Sequence, residues 1–185
     1  MADDRVTIRA ATAADAAAIA RVHTQSWRQA YEGVVPAEYL ASLSVGTREE
    51  ALREWFARKP TEQQLFWVAE CGADIVGFAQ CGPTKGDDPG PEGEVYTLYV
   101  LREMWGTGVG PSLFRAACAA LKANGFEDLI LWVLARNARA RRFYEKAGWV
   151  PDGGSEAHFY GGVELEALRY RLPVMTDKGP ADQTA

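Results

Sequence analysis

The order of elements along the chain predicts an α/β (α+β) fold on a mixed sheet. Three observations lead there. Two strand-like segments at 65–80 flank a tight turn, so part of the sheet is antiparallel. A strand–helix–strand–helix–strand run follows over 94–172, the alternation of α/β architectures. Between the strand 94–101 and the next helix lies Trp105-Gly106-Thr107-Gly108-Val109-Gly110, a turn with three glycines.

Each element follows from its local pattern. Val6-Thr7-Ile8 alternates enough for a first strand. Thr12-x-x-Asp15 has the spacing of a capping box, and an Ala-rich stretch carries a helix to about Tyr31. Its inner stripe of Ile19, Val22, His23, Ser26, Trp27 and Ala30 has i, i+3, i+4 periodicity, and Gly33 ends it. Pro36 to Leu43 reads as a short second helix. Thr47-x-x-Glu50 opens a third, with Leu52, Trp55 and Phe56 on one face and Pro60 as its stop. Leu65–Glu70 and Asp74–Gln80 flank Cys71-Gly72-Ala73 as a hairpin. A Gly/Pro/Asp loop over 84–93 precedes the strand Glu94–Leu101. Leu113, Phe114, Ala117 and Leu121 mark a helix stopped by Asn124-Gly125. Asp128–Ala135 is nearly continuously apolar, the pattern of a strand buried on both faces. Asn137–Ala147 is a helix with Ala140, Phe143, Tyr144 and Ala147 inward and Gly148 as its stop. Val163–Leu172 alternates as a final strand. A single domain is expected over 1–173, and the polar segment 174–185 is expected to be a disordered tail.

Composition excludes several classes. The 185 residues are 48% hydrophobic and 24% charged, ordinary for one domain. A chain of this length buries about 70% of its unfolded surface without a metal or disulfide staple. Apolar runs fall short of the ~20 residues of a membrane span. The acidic start, Met1 to Arg5, has no apolar stretch behind it, so no secretory signal is expected and a cytoplasmic protein is. Three cysteines without C-x-x-C spacing and two isolated histidines, His23 and His158, argue against a disulfide framework or a metal site. A net charge of −5 argues against nucleic acid as the partner. Residues 102–146, however, hold eight bases and four acids, a net of +4 that leaves −9 elsewhere. A basic region inside an acidic protein suits a small polyanionic ligand, although solvated helix faces account for part of it.

The glycines of 105–110 let backbone N–H groups turn toward a ligand, at a helix start carrying roughly half a positive charge. Pro111 suits an early helical position, where no N–H is required. Such a turn calls for phosphate. It is not a Walker loop, because Gly110-Pro111-Ser112 lacks the lysine. Nor is it a dinucleotide fingerprint. Counting from Gly106 puts Pro111 at the third glycine, and Asp128 opens its strand instead of closing it. From spacing alone, a glycine turn with no ligand stays open.

Four pieces occur in sequence: the strand Glu94-Val-Tyr-Thr-Leu-Tyr-Val100, the turn 105–110, the strand 128–135, and Asn137-Ala-Arg-Ala-Arg-Arg-Phe-Tyr-Glu-Lys-Ala-Gly-Trp149. Together they resemble the GNAT-type N-acetyltransferase superfamily. Its fourth strand pairs with the pantetheine arm of acetyl-CoA. Its Q/R-x-x-G-x-G loop holds the pyrophosphate, and its next strand splays away to admit the cofactor. The last piece is similar to its N-x-x-A-x-x-F-Y-x-x-x-G-F helix. One position departs: Trp105 stands where the family usually has Gln or Arg, which removes a side-chain donor from one edge of the pyrophosphate.

The resemblance implies a GNAT-like, mostly antiparallel central sheet flanked by helices, with a splayed strand pair holding CoA. It also implies acetyl transfer from acetyl-CoA, as co-substrate and without a metal, to a primary amine of a small molecule or peptide. The cofactor residues would be Leu98, Tyr99 and Val100, then Trp105, Gly106, Thr107, Gly108, Val109 and Gly110, then Asn137, Arg139, Ala140 and Arg142. Among these, Arg139 and Arg142 share a helix face, and either is a candidate for the ribose 3′-phosphate. Tyr144 matches the tyrosine near the thioester sulfur, and Asn137 the asparagine on the pantetheine arm. Seven residues apart, both point the same way, ~10 Å apart along the axis. An N-cap for Asn137 and a core aromatic for Tyr144 are the plain alternatives. Glu94, eleven residues before Trp105, matches the position of a catalytic glutamate in members that use one on this strand. By period two it shares a face with Leu98 and Val100.

Family acceptor pockets draw on the first helices, which singles out Trp27, Tyr31 and Tyr39; Trp27 and Tyr31 are i, i+4 neighbours. The acidic loop Asp87-Asp88 to Glu92 is suited to attract a cationic amine. Simple packing of the aromatics and solvation of the acids are the alternatives. The competing function is a non-catalytic acyl-CoA-binding sensor or interaction domain of the same fold. Retention of Glu94 and Tyr144 favours the enzyme. The acceptor's identity and the oligomeric state are not written in the sequence, and a homodimer stays open.

Overall fold

Seven strands form one sheet in the order β1-β2-β3-β4-β5-β7-β6 in this computed structural model, which describes residues 6–58, 63–85 and 90–173. The strands are β1 (Val6–Ala10), β2 (Leu65–Cys71), β3 (Asp74–Pro83), β4 (Gly93–Val100), β5 (Leu129–Leu134), β6 (Val150–Tyr160) and β7 (Val163–Arg171). Only β4 and β5 run parallel; the other neighbours are antiparallel. Five α-helices flank the sheet: α1 (Ala16–Ala30), α2 (Ala37–Ser42), α3 (Val45–Ala57), α4 (Val109–Ala123) and α5 (Ala138–Lys146). The mixed, mostly antiparallel sheet is the expected one.

Two apolar layers hold the helices to the sheet. On one face Ile19, Ala20 and Val22 of α1 and Leu52 of α3 close over Phe66, Val68 and Phe78. On the other, Leu113, Phe114, Ala117 and Leu121 of α4 close over Ala79, Cys81, Val95 and Leu131. Both stripes follow the helical periodicity of the sequence, so packing confirms what the spacing implies. The backbone N–H of Thr12 donates to Asp15 Oδ2 at 2.8 Å, as a capping box requires.

Four local expectations change. α3 begins two residues earlier than Thr47, because Ser44 is its N-cap and accepts from the Thr47 N–H at 3.3 Å. Ala147 is exposed; α5 stops at Lys146, before the stripe returns to the sheet. β6 was not expected at all. It is an edge strand, exposed along most of its length, and its pairing with β7 shifts between Pro151 and Ser155. Proline and glycine are tolerated at such edges and bulges, so composition hides the strand. Pro60, Asp87, Asp88 and the tail 174–185 lie outside the described residues.

The fourth change concerns Glu94. Between Gln80↔Thr97 and Cys81↔Val95 the register shifts, so β4 carries one extra residue, Tyr96, as a bulge. A bulge inverts the alternation beyond it. Val95, Leu98 and Val100 therefore share the α4 face, where Cys81 Sγ lies 3.7 Å from Ala117 O. Glu94, Thr97 and Tyr99 share the opposite, α1 face, where the Tyr99 ring meets His23 at 5.2 Å. The expected common face for Glu94, Leu98 and Val100 does not exist.

Candidate active site

β4 and β5 pair at only three positions, Gly93↔Leu129, Glu94↔Ile130 and Val95↔Leu131. Beyond them the two strands part, and among the described residues no strand borders that backbone edge of β4. A cavity of about 340 Å³ opens at this gap. Leu98, Tyr99 and Val100 line it from β4, Met104, Trp105, Gly106, Gly108, Gly110 and Pro111 from the turn and the α4 start, and Arg139, Ala140, Phe143 and Tyr144 from α5. Ser26 and Ala30 of α1 complete it. An unpaired strand edge offers N–H and C=O groups in a row, which suits an amide-containing chain.

The turn presents the other half. Gly106 and Gly108 sit at φ of 80° and 92°, left-handed values that favour glycine. A Cβ at either would meet nothing within 4 Å, so the requirement is conformational and not steric. Gly108 is the N-cap of α4, and Val109, Gly110 and Pro111 form its first turn. The amides of Val109 and Gly110 are thus unpaired donors at the positive end of a 15-residue helix. Pro111 has no N–H to leave unsatisfied. Trp105 Nε1–H donates to Val100 O at 2.9 Å, and the Arg139 guanidinium lies 3.5 Å above its ring centroid.

Tyr144 is 9% exposed, packed on Phe114 and Phe143, with its side chain at the cavity wall. Burial pushes its hydroxyl pKa up, with Tyr31 and Cys118 adding to the effect and Arg139 opposing it. The group therefore keeps its proton and is a hydrogen-bond donor. Glu94, 8% exposed, is outside the cavity lining. Burial raises its pKa, opposed by the Lys85 charge and by the Lys85 N–H, which reaches Oε2 at 3.4 Å. Glu156 raises it further.

The remaining expected residues divide. Asn137 caps α5, its Oδ1 accepting from the Ala140 N–H at 3.1 Å, and it does not line the cavity. Thr107 Oγ1 donates to Met104 O, and the Val109 side chain is buried in the core. Arg139 and Arg142 are both exposed, but only Arg139 is among the lining residues. Trp27, Tyr31 and Tyr39 do come together: Trp27 stands 4.7 Å from Tyr31 and 6.2 Å from Tyr39. Trp27 also meets Tyr99, at 6.4 Å, so the cluster adjoins the cavity through a ring that lines it. Tyr160 of β6 joins the cluster 5.2 Å from Trp27, with His158 stacked beside it. Sequence reasoning missed Tyr160 along with its strand; the aromatic spacing His158-x-Tyr160 was the available signal. It also missed Met104 and Phe143 as lining, having placed Phe143 only in the core.

A strand pair opening onto a glycine turn at a helix start is the geometry expected of the resemblance. The sequence pattern of the acetyltransferase (GNAT) family matches residues 24–149. The chain belongs to the GNAT family. Among relatives, the uncharacterised N-acetyltransferase YuaI of Bacillus subtilis is 32% identical over 169 residues, which is 91% of this chain and 93% of YuaI. As a GNAT protein of this kind, the chain is an acetyl-CoA-dependent N-acetyltransferase. The fold recurs in the PaiA N-acetyltransferase of Thermoplasma acidophilum, solved in complex with coenzyme A. That likeness has a TM-score of 0.69 at 22% identity, covering 89% of this chain and 98% of PaiA. It recurs too in YncA of Salmonella typhimurium, solved with its cofactor acetyl-CoA, with a TM-score of 0.71 at 19% identity, covering 96% and 99%. Among the described residues of this GNAT chain, no helix is long and apolar enough to cross a membrane.

Proposed function

We propose that the acceptor is a primary amine of a small molecule or peptide, which reaches the thioester from the Trp27–Tyr31–Tyr99 side. The observation that carries this is the open edge of β4, with the α4 start and Tyr144 lining the cavity there and the aromatic cluster adjoining it through Tyr99. On this proposal the main chain of Leu98 and Val100 pairs with pantetheine, beside Tyr99 and Ala140. The amides of the turn Gly106–Gly110 take the pyrophosphate. Asn137 holds α5 in place by its cap and offers only its amide nitrogen to the cofactor arm.

An alkylamine with a pKa near ~10.4 is mostly protonated at neutral pH and must lose a proton before it attacks the thioester. Glu94 stands on the acceptor face but outside the cavity, so it accepts that proton through an ordered water and not by direct contact. The departing CoA thiolate belongs to a thiol of pKa ~8.5. Full transfer from a tyrosine at ~10 is uphill by about 2 kcal/mol, and burial of Tyr144 increases that. Tyr144 therefore stabilises the thiolate by a hydrogen bond, with CoA taking its proton later from solvent. On this proposal the compartment is the cytoplasm. The exposed β6 edge and Phe159, which is 67% exposed, support a homodimer as part of this proposal.

A panel of amines tests the proposal, with acetyl-CoA present and free CoA thiol followed over time. Steady thiol release that saturates with one amine is expected. Binding of CoA with no turnover on any amine, aromatic and peptide amines included, would leave a sensor instead.

A further inference from the structure

Trp105 is the one place where the turn departs from the family's pattern, and the structure gives it two contacts. Its Nε1–H is committed to Val100 O at 2.9 Å, which ties the indole to the last residue of β4 and prevents it from swinging. Its ring face carries the Arg139 guanidinium, with Cζ 3.5 Å from the centroid. Arg139 makes no ion pair or hydrogen bond within the described residues, so its N–H donors are uncommitted. It lines the same cavity as Gly106 and Gly108, and among the described residues none that lines that cavity is acidic. A full positive charge and the positive end of α4 thus converge on one space whose described lining carries no carboxylate.

We propose that Trp105 and Arg139 form a pyrophosphate clamp. The indole is a platform that holds the guanidinium over the Gly106–Gly110 turn, where it binds the pyrophosphate of acetyl-CoA and not the ribose 3′-phosphate. The side-chain donor absent from the first turn position is thereby supplied from α5. Arg139 is a binding residue and Trp105 a positioning residue that acts through it. Arg102, with Cζ 5.8 Å from the same ring, lies outside the cavity lining and takes no part. The clamp rests on the assignment of the turn to pyrophosphate.

Calorimetric Kd values for CoA, dephospho-CoA (which lacks only the 3′-phosphate) and pantetheine test it without needing the acceptor. Arg139→Ala is expected to weaken CoA and dephospho-CoA alike, by about tenfold, as loss of a charge-assisted phosphate contact does. The ratio between the two ligands should stay at its wild-type value. Trp105→Leu should act in the same direction, and the double variant should be no weaker than Arg139→Ala alone. Trp105→Phe keeps an aromatic face and should recover most of the affinity, while Arg102→Ala should bind like wild type. If Trp105→Leu melts early, Trp105→Phe against Arg139→Ala still decides, since Arg139 sits on an exposed helix surface. Loss confined to CoA would move Arg139 to the 3′-phosphate and overturn the clamp. Multiplying losses in the double variant would separate Trp105 from Arg139, with the same result. Wild-type protein that binds CoA no better than pantetheine would instead refute the pyrophosphate turn itself.

Discussion

Tyr144 and Glu94 are buried to nearly the same degree, and the same desolvation makes one a poorer acid and the other a better base. For Tyr144 this favours hydrogen bonding over proton transfer. Tyr144→Phe keeps the ring contacts with Phe114 and Phe143 and should leave stability nearly unchanged. Turnover should fall on the order of tenfold to a hundredfold with the KM for acetyl-CoA held, measured by steady-state kinetics. A change in KM alone would place the hydroxyl in binding. In its proposed role as base Glu94 acts only when ionised, so kcat/KM for the amine should fall as pH drops through its raised pKa. In Glu94→Gln that acidic limb should move or vanish. Stability should change the opposite way. Because the folded pKa lies above the ordinary 4.5, the stability lent by the protonated form is present below about that pH and lost as pH rises through the raised value. Glu94→Gln should therefore raise the Tm at neutral pH, and the gain should disappear in melts near pH 4. A lower Tm at neutral pH would mean that the ionised carboxylate is well paired.

At the scale of elements, the start of α5 separates two roles that one motif position carries. Asn137→Ala removes the Oδ1 acceptor of the Ala140 N–H and should cost about 1 kcal/mol in denaturant unfolding. Asn137→Asp retains an acceptor beside the positive helix end and should restore most of that loss. Equal destabilisation in both would mean that the amide nitrogen, not the cap, matters. The helix after Asn137 was legible because helical period and cap chemistry are local, and its N-x-x-A-x-x-F-Y motif through the resemblance to the family. The face of Glu94 was not, because one extra residue at Tyr96 inverts the strand's alternation and only its pairing with β3 reveals it. Tyr96 Oη donates to the Pro83 carbonyl, a contact between residues 13 apart that no period in the sequence announces. β6 escaped for a related reason: an edge strand needs little apolar content, so Pro151, Gly153 and Gly154 read as loop.

Over the whole molecule, the basic segment 102–146 within an acidic chain acquires a location. Arg139 from it faces the cavity, while Arg141 from it is spent on the Tyr170 hydroxyl. Ligand binding should stabilise the fold by mass action. At about a hundredfold excess over Kd, CoA should add about 2.7 kcal/mol, a Tm rise of roughly 5–10 °C for a domain of this size. Gly108→Asp sets a side chain at a φ of 92° and a carboxylate where the proposed function puts the pyrophosphate. Its own Tm should drop modestly, and CoA should no longer raise it in a thermal-shift assay. An undiminished CoA shift in this variant would mean that phosphate binds elsewhere.

The sequence alone determined the β2–β3 hairpin, the four large helices and the glycine turn at the start of α4. Those features rest on dihedral preference, amphipathic period and capping, which act within a few residues. Tertiary structure alone decided that Arg139 and not Arg142 enters the cavity, that Glu94 stands with Tyr99, and that Tyr160 joins Trp27. Each of these depends on where two distant segments meet. A helix of nine residues turns Arg139 and Arg142 only about 60° apart, too little for periodicity to separate them. The Trp105 ring, fixed to the end of β4, provides the surface on which one of the two comes to rest.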